Sequence, residues 1–90
     1  MHVKGKIVRM GQVQTRQGRA GDYQVQGVLL ELAQEPRQQV YVSLFPPHLG
    51  TFQAQQPCFG RELEGDLVFS TAERNGFVSN YVELQNPRIA

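Results

Sequence analysis

The sequence predicts an all-β domain, and three observations point to it. Helical periodicity is almost absent, short runs of alternating apolar residues recur, and glycine, proline and asparagine separate these runs. The chain has 90 residues, which is the length of one small domain with a single core and a narrow margin of stability. We therefore expect one β domain without a linker or an internal repeat.

Five runs are predicted as strands. They cover about residues 3–14, 23–32, 39–45, 65–73 and 77–84. The first run contains Gly5 and Gly11, where a bend lets one strand pair with neighbours on both sides. Asn75 and Gly76 join the last two runs and predict a tight hairpin turn, because both residues tolerate a positive φ.

A long irregular connection joins the third and fourth runs. Its sequence is PPHLGTFQAQQPCFGREL, in which prolines and glycines leave room for at most one short helix, around 48–55. We expect Phe52 and Phe59 to close one end of a barrel. Five strands with the long connection at this place match the plan of an OB-fold barrel. The predicted domain covers residues 1–85, and a short tail covers 86–90.

Alternation assigns the side chains of the third run to two faces. Val40, Val42 and Leu44 are predicted in the barrel interior, which turns Tyr41 and Phe45 outward. An outward aromatic pair either stacks on nucleic-acid bases or packs against a second subunit. Both uses remain open at this point.

The second run divides in the same way. Its predicted inner residues are Val28, Leu30 and Leu32, and its outer residues, expected at a subunit interface, are Gln24, Gln26 and Leu29. Val25 joins the inner set only if a bulge at Gly27 shifts the alternation by one residue. In the fourth run, Leu67 and Phe69 are predicted together inside. In the fifth run, alternation puts Val78, Val82 and Leu84 on one face and Tyr81 on the other.

The charges are unevenly distributed along the chain. Residues 1–21 contain no acid and five basic residues, which are Lys4, Lys6, Arg9, Arg16 and Arg19. Residues 22–90 contain four arginines against eight acids. An anionic partner is expected at the basic end. We predict that TRQGRAG is a flexible loop whose arginines follow a phosphate backbone, that strand one continues the positive track, and that Arg74 closes the other side of the groove.

Residues with catalytic chemistry do not form a recognisable constellation. His2 and His48 have no partner at metal-ligand spacing, and a single cysteine, Cys58, cannot form a zinc template. We expect both histidines to be solvated or structural and Cys58 to be a small buried side chain. The expected work is therefore binding rather than catalysis, without a metal or a cofactor.

The composition also favours a cytoplasmic protein. The opening residues MHVKGKIVRM carry dispersed charges and no apolar core of a signal peptide. No run approaches the roughly 18 to 20 apolar residues that a membrane span needs. The single cysteine excludes an internal disulfide. We expect no membrane partner.

Three stretches of the chain resemble a known family. They are VKGKIVRMGQV, VQGVLLEL with QQVYVSLF, and LEGDLVFSTAERNGFVSNYVEL, which together cover most of residues 1–85. Their strand lengths, glycines and turns are similar to those of small bacterial OB-fold single-stranded DNA-binding proteins, including the primosomal replication protein type. The resemblance implies DNA binding in DNA replication and a homodimer or homotetramer. The chain departs from the family in lacking tryptophan and an acidic tail, which favours an accessory or mobile-element role.

Two functions therefore remain as hypotheses. The first is binding of single-stranded DNA, with RNA as the alternative ligand, by a homo-oligomer with little sequence specificity. The second is a protein-interaction or assembly module that uses Tyr41, Phe45 and Leu29 and binds no nucleic acid. Affinity that falls steeply with salt distinguishes the first from the second.

Overall fold

The structure, a computed structural model, describes residues 1–33 and 38–90, apart from the side chain of Arg74. Six strands and one helix lie in these described residues. They are β1 (His2–Met10), β2 (Gln14–Gly18), β3 (Gly21–Leu32), β4 (Gln38–Leu44), α1 (His48–Ala54), β5 (Glu62–Arg74) and β6 (Phe77–Ile89). The predicted mostly-β chain and its one short helix are confirmed.

The strands form one sheet that closes into a ring. Their order is β1-β5-β6-β4-β3-β2, and β1 also pairs with β3. All pairs are antiparallel except β4 and β6, which run parallel and are paired at Ser43 and Glu83. The helix α1 follows β4 and precedes β5, as the long connection predicted.

The first predicted strand ends earlier than expected, and a separate strand that was not predicted follows it. β1 ends at Met10, and β2 pairs with β3 from Gln14 opposite Val25 to Gly18 opposite Gly21. The prediction of a flexible loop over TRQGRAG is therefore wrong. Most of that segment is a strand, and only Arg19 and Ala20 form the turn.

The last strand is longer than predicted. Residues 86–90 were expected to form a tail, yet β6 continues to Ile89, which pairs with Leu63 of β5. The backbone of Ala90 also donates to the carbonyl of Glu62 at 3.0 Å. The sequence concealed this pairing because Asn86 and Pro87 usually end a strand.

The core lies inside the ring and is almost entirely aliphatic. Its buried members are Ile7, Val28, Leu30, Val42, Leu44, Leu49, Phe52, Leu63, Leu67 and Leu84. Phe52 of α1 is fully buried and closes one end, as predicted. Phe59 and Cys58 are exposed instead of buried, because the chain has left the helix and runs over the surface before β5.

Side-chain hydrogen bonds hold α1 against β6. The Gln55 amide, directly after the helix, donates to the carbonyl of Pro87 at 2.8 Å and accepts from the backbone of Ile89 at 2.7 Å. His48 accepts from the backbone of Asn86 at 3.1 Å. These contacts fix the helix over the end of the ring and give His48 a structural role.

β5 and β6 extend beyond the ring as a two-stranded hairpin. We call its residues 68–82 the arm. Its turn, at Asn75 and Gly76, has the predicted positive φ angles of 53° and 80°. Phe69 was predicted inside and Val78 on the apolar face of its strand, but they are 70% and 62% exposed. Their alternation is correct, since Phe69 pairs across from the partly buried Val82, but both lie beyond the end of the core.

Candidate nucleic-acid interface

Three aromatic side chains lie in a row on the outer face of the closed sheet. Tyr23 of β3 is 6.2 Å from Phe45, measured between centroids, and Phe45 is 5.4 Å from Tyr81 of β6. The rings are tilted by 42° and 50° and are half-buried. Together with Tyr41 we call them the aromatic face.

Tyr41 supplies the most accessible ring of this face. Its side chain is 58% exposed and lies across Gly27 on the adjacent strand. A β-carbon added to Gly27 would overlap the Tyr41 hydroxyl, so the absence of a side chain at this position permits the contact. Tyr41 and Ser43 line the same shallow depression of the surface.

Arg9 joins the aromatic face through an irregularity in β1. The pairing of β1 with β3 shifts between Ile7 and Arg9, so that Arg9 lies opposite Leu29. Leu29 in turn lies opposite Tyr41 of β4. Because cross-strand partners share a face, Arg9, Leu29 and Tyr41 form one row across the outer face of three strands. Arg9 is exposed on this face.

Arg16 also lies on the aromatic face. It pairs across from Tyr23 in the hairpin of β2 and β3. Arg16 and Tyr41 line one shallow depression of about 120 Å³, together with Val25 and Gly27. Arg19 is exposed at the tip of the same hairpin. The hairpin therefore carries one arginine beside the rings and a second at its end.

Lys4 and Lys6 lie elsewhere. The Lys4 ammonium is 3.1 Å from a carboxylate oxygen of Glu62, and Lys6 pairs across from Glu31 and Glu62. The expected continuous positive track along strand one is therefore interrupted by the acids of β5 and β3. The side chain of Arg74 lies outside the described part of the chain.

The residues predicted for a subunit interface do not share one surface. Gln26 pairs across from the buried Leu44, so it belongs to the inner side, where its amide donates to the carbonyl of Gly11 at 2.8 Å. Gln24 is exposed and lines a cavity of about 530 Å³ between the β2–β3 hairpin and α1. Leu29 is half-buried between Arg9 and Tyr41.

Val25 and Gly27 were expected to shift the alternation of β3. The register of β3 with β4 instead continues without a shift from Gln26 to Leu32. Val25 is buried, but on the outer side beside Tyr41 and outside the core cluster. Gln14, its cross-strand partner on β2, and the Tyr41 ring line the same depression as Val25.

One carboxylate lies on the aromatic face. Glu83 pairs across from Ser43 of β4, while its neighbour Leu84 points into the core. The Gln85 amide approaches the Glu83 carboxylate at 3.5 Å. A negative charge at this position opposes a phosphate and is the least favourable feature of the face for an anionic ligand.

A histidine and two carboxylates form a cluster at the start of β1. The His2 ring is 3.1 Å from Glu64 and 3.2 Å from Asp66, both on β5. Hydrogen bonds to Glu64 and then Asp66 raise the pKa of His2 above its ordinary 6.5. The hydrogen bond to His2 lowers the pKa of Glu64, and hydrogen bonds to Asn86 and His2 lower that of Asp66. This cluster ties β1 to β5, away from the aromatic face.

Sequence reasoning missed two members of the aromatic face. Tyr23 precedes the apolar part of its strand, and Tyr81 was placed outside by alternation but received no role. The signal was present, because Tyr23 and Tyr81 have the same alternation as the outward Tyr41 and Phe45. What alternation cannot show is that β4 lies between β3 and β6, which brings the rings together.

Neither a metal-binding cluster nor a membrane-spanning helix occurs in the part of the chain that the structure describes. Among residues 1–33 and 38–90, no group of three or more histidine, cysteine, aspartate or glutamate side chains is arranged to hold a metal ion. Over the same residues, no helix has the length and apolar character to cross a bilayer.

Comparison with known proteins does not assign the chain to a family. No protein-family model matches it, and no curated protein matches it significantly. Its function must therefore be inferred from the geometry of its own residues.

Proposed function

We propose that the protein is an OB-fold that binds single-stranded nucleic acid, DNA in the first instance, with little sequence specificity and as a homodimer or homotetramer. Two features support the fold: the closed strand order and the helix between β4 and β5 both agree with the OB plan. In that plan the ligand lies across strands that correspond here to β3 and β4, between two hairpins. The aromatic face occupies this place.

One observation carries the functional proposal. Arg16 lies opposite Tyr23 on the face that also holds Tyr41, Phe45 and Tyr81. Proteins that bind single strands combine cations that follow the backbone with rings on which bases stack. Base stacking contributes about 1 to 3 kcal/mol per base. Tyr41 is the most accessible ring and is the expected first stacking site.

Weak sequence specificity follows from the same residues. Guanidinium groups pair with phosphate and also stack on bases, and neither contact distinguishes one base from another. We also place the protein in the cytoplasm, because Cys58 is a free, exposed thiol and such thiols persist in a reducing compartment.

Titration of fluorescent dT and U oligomers at two salt concentrations tests the proposal. We expect binding that weakens steeply as salt rises, because each neutralised phosphate releases counterions. The variant R16A/R19A is expected to bind more weakly and to lose about one to two units of the salt slope. The matched control is K4A/K6A, which removes the same charge from the acid-lined side of β1 and is expected to bind like the parent.

Two results contradict the proposal. Affinity that does not change between the two salt concentrations excludes a phosphate-dominated site. If R16A/R19A binds oligonucleotide like the parent and K4A/K6A binds more weakly, the ligand lies on β1 and β5 instead. If the oligonucleotides bind, the ratio of the dT affinity to the U affinity shows whether DNA or RNA is the preferred ligand.

A second candidate function has one observation in its favour. Glu83 places a carboxylate among the rings, and Phe45 is held between Tyr23 and Tyr81 rather than left free to stack. A protein partner tolerates both features, since it can pair the carboxylate and pack on the half-buried rings. This alternative assembly module predicts no oligonucleotide binding at either salt concentration.

A further inference from the structure

The arm presents apolar side chains that no part of the described chain covers. Phe69 is 70% exposed and Phe77 is 76% exposed, in a hairpin that leaves the ring. Phe69 and Val82 form a cross-strand pair on the inner side, followed by Thr71, whose hydroxyl lies 3.3 Å from the amide oxygen of Asn80. A hairpin of two strands is marginal in water on its own. A further strand at its edge would stabilise it.

The β5 edge of the arm is open. β1 pairs with β5 only as far as Asp66, and the last contact is the Leu67 amide donating to the Met1 carbonyl at 2.7 Å. Beyond this point no strand of the described chain pairs with that edge. The open segment Val68–Ala72 contains no charge, proline or glycine. Proteins usually protect an exposed edge with these residues or with a bulge, so an unprotected edge indicates a partner strand.

We propose that the open edge of β5 pairs antiparallel with the same edge of a second copy of this chain, on a two-fold axis at Ser70. The inference rests on the homo-oligomer in the proposed function and names the surface that forms it. The result is a continuous sheet of four arm strands, two from each copy.

The extent of the open edge selects this register. β1 occupies the β5 edge as far as Leu67, and the uncharged segment that follows, Val68–Ala72, has Ser70 as its middle residue. An axis at Ser70 therefore pairs the two open segments over their whole length without displacing β1 in either copy.

The same register joins the apolar side chains. Phe69 lies opposite the other copy's Thr71, so the two Phe69 rings become diagonal neighbours within contact distance. Each ring already has Val82 beside it, which produces one apolar strip across both copies. The paired edges and rings bury less than about 1,200 Å², so we expect a weak dimer that depends on concentration.

A second copy fits this edge better than nucleic acid does. Asp66 precedes the open segment and Glu73 follows it, whereas Arg9 and Arg16 lie on the outer face of the ring. A polyanion would meet the Glu73 carboxylate, and the nearby His2 ring is already engaged with Asp66 at 3.2 Å. An identical neutral strand meets no such repulsion.

Sedimentation without oligonucleotide tests the proposal independently of ligand binding. The parent is expected to shift from monomer towards dimer as concentration rises, and F69E to remain monomeric, because its two carboxylates become diagonal neighbours. The matched control F77E changes the other exposed phenylalanine, near the turn, and is expected to dimerise like the parent. Circular dichroism confirms that each variant is folded.

Cysteine trapping provides a second measurement that does not depend on a destabilising change. In a C58S background, S70C lies on the proposed axis, where the distance between like β-carbons permits a disulfide. We expect mild oxidation to give a covalent dimer of C58S/S70C and little dimer of C58S/S79C, whose cysteine is on β6.

Four results would overturn the proposal. They are a parent that stays monomeric at every concentration, a folded F69E that still dimerises, an F77E that dissociates as F69E does, and equal trapping of the two cysteine variants. A monomeric parent whose F69E variant binds oligonucleotide more weakly would assign Phe69 to nucleic acid. Failure of oligonucleotide binding with intact dimerisation would instead refute only the proposed ligand.

Discussion

The Tyr41 ring lies across the backbone of Gly27, and a β-carbon at position 27 would overlap its hydroxyl. The two residues belong to adjacent strands, with Gly27 paired to Ser43 and Tyr41 paired to Leu29. A glycine in the interior of a strand weakens it, so its presence here reflects the close approach of the ring. The position of the most accessible aromatic side chain therefore depends on the missing side chain at its neighbour.

Gly27→Ala is the first prediction. The methyl group displaces the Tyr41 ring, and we expect oligonucleotide affinity to fall by about fivefold or more, since one stacking site is lost. Fluorescence titration measures the change. Gly50→Ala is the matched control, because a β-carbon there meets nothing within 4 Å. Parent-like affinity of Gly27→Ala would show that Tyr41 has no part in binding.

Glu83→Gln is the second prediction. It removes the carboxylate from the aromatic face, and we expect oligonucleotide affinity to rise by about two- to fivefold at low salt. The control is Glu73→Gln, which removes an equal charge from the arm and is expected to leave affinity nearly unchanged. Weaker binding by Glu83→Gln would mean that the carboxylate contacts the ligand, as a base-edge acceptor or through a metal.

Phe52→Ala is the third prediction and concerns stability. Phe52 is fully buried at the end of the ring, so its truncation is expected to lower the free energy of unfolding by about 3 to 5 kcal/mol. The control Phe59→Ala removes a ring that is 64% exposed and is expected to change stability by less than about 0.5 kcal/mol. Urea unfolding followed by circular dichroism compares them. Equal losses would contradict the assigned core.

The fourth prediction concerns pH. The pKa of His2 is raised in the fold, chiefly by its hydrogen bond with Glu64, so its stabilisation is complete below the unfolded pKa near 6.5. It is lost as pH rises through the higher folded pKa. The pKa values of Glu64 and Asp66 are lowered, so their contribution is lost only as pH falls through those lower values.

Melting temperature measured across pH checks this window. The parent is expected to be more stable near pH 6 than near pH 9, by a modest amount because the cluster is exposed. His2→Asn is expected to lose that difference. Parallel profiles of the two proteins would show that the cluster contributes nothing to folding.

Local chemistry was sufficient to predict much of the fold. Alternation placed Val42 and Leu44 inside, and Asn75-Gly76 marked the hairpin turn, because both depend on neighbouring residues alone. It did not predict β2, whose residues QTRQG have no apolar face. That strand exists through its pairing with β3, which no local pattern reveals.

The errors share one physical cause. Phe69 and Val78 have the alternation of core residues, but alternation gives the side of a strand and not the distance along it to the end of the core. Lys4 and Lys6 suggested a positive track, yet the fold sets Glu62 beside them. Both errors arise because the extent of the core and the neighbours of a strand depend on strands that are distant in the sequence and adjacent in the closed sheet.

The site was partly predictable for the same reason. Tyr41, Phe45 and Arg16 were selected from charge, ring chemistry and alternation, and they do lie on one face. Tyr23 and Tyr81 could be added only once β4 was known to lie between β3 and β6.

Mapping a short dT oligomer onto the protein by nuclear magnetic resonance tests the central claim most directly. We predict that backbone amide shifts concentrate on the strands of the aromatic face, with the largest changes at Arg16, Tyr23, Tyr41 and Tyr81. Shifts centred on Lys4 and Lys6, or confined to α1, would contradict that claim, as would a spectrum unchanged by the oligomer.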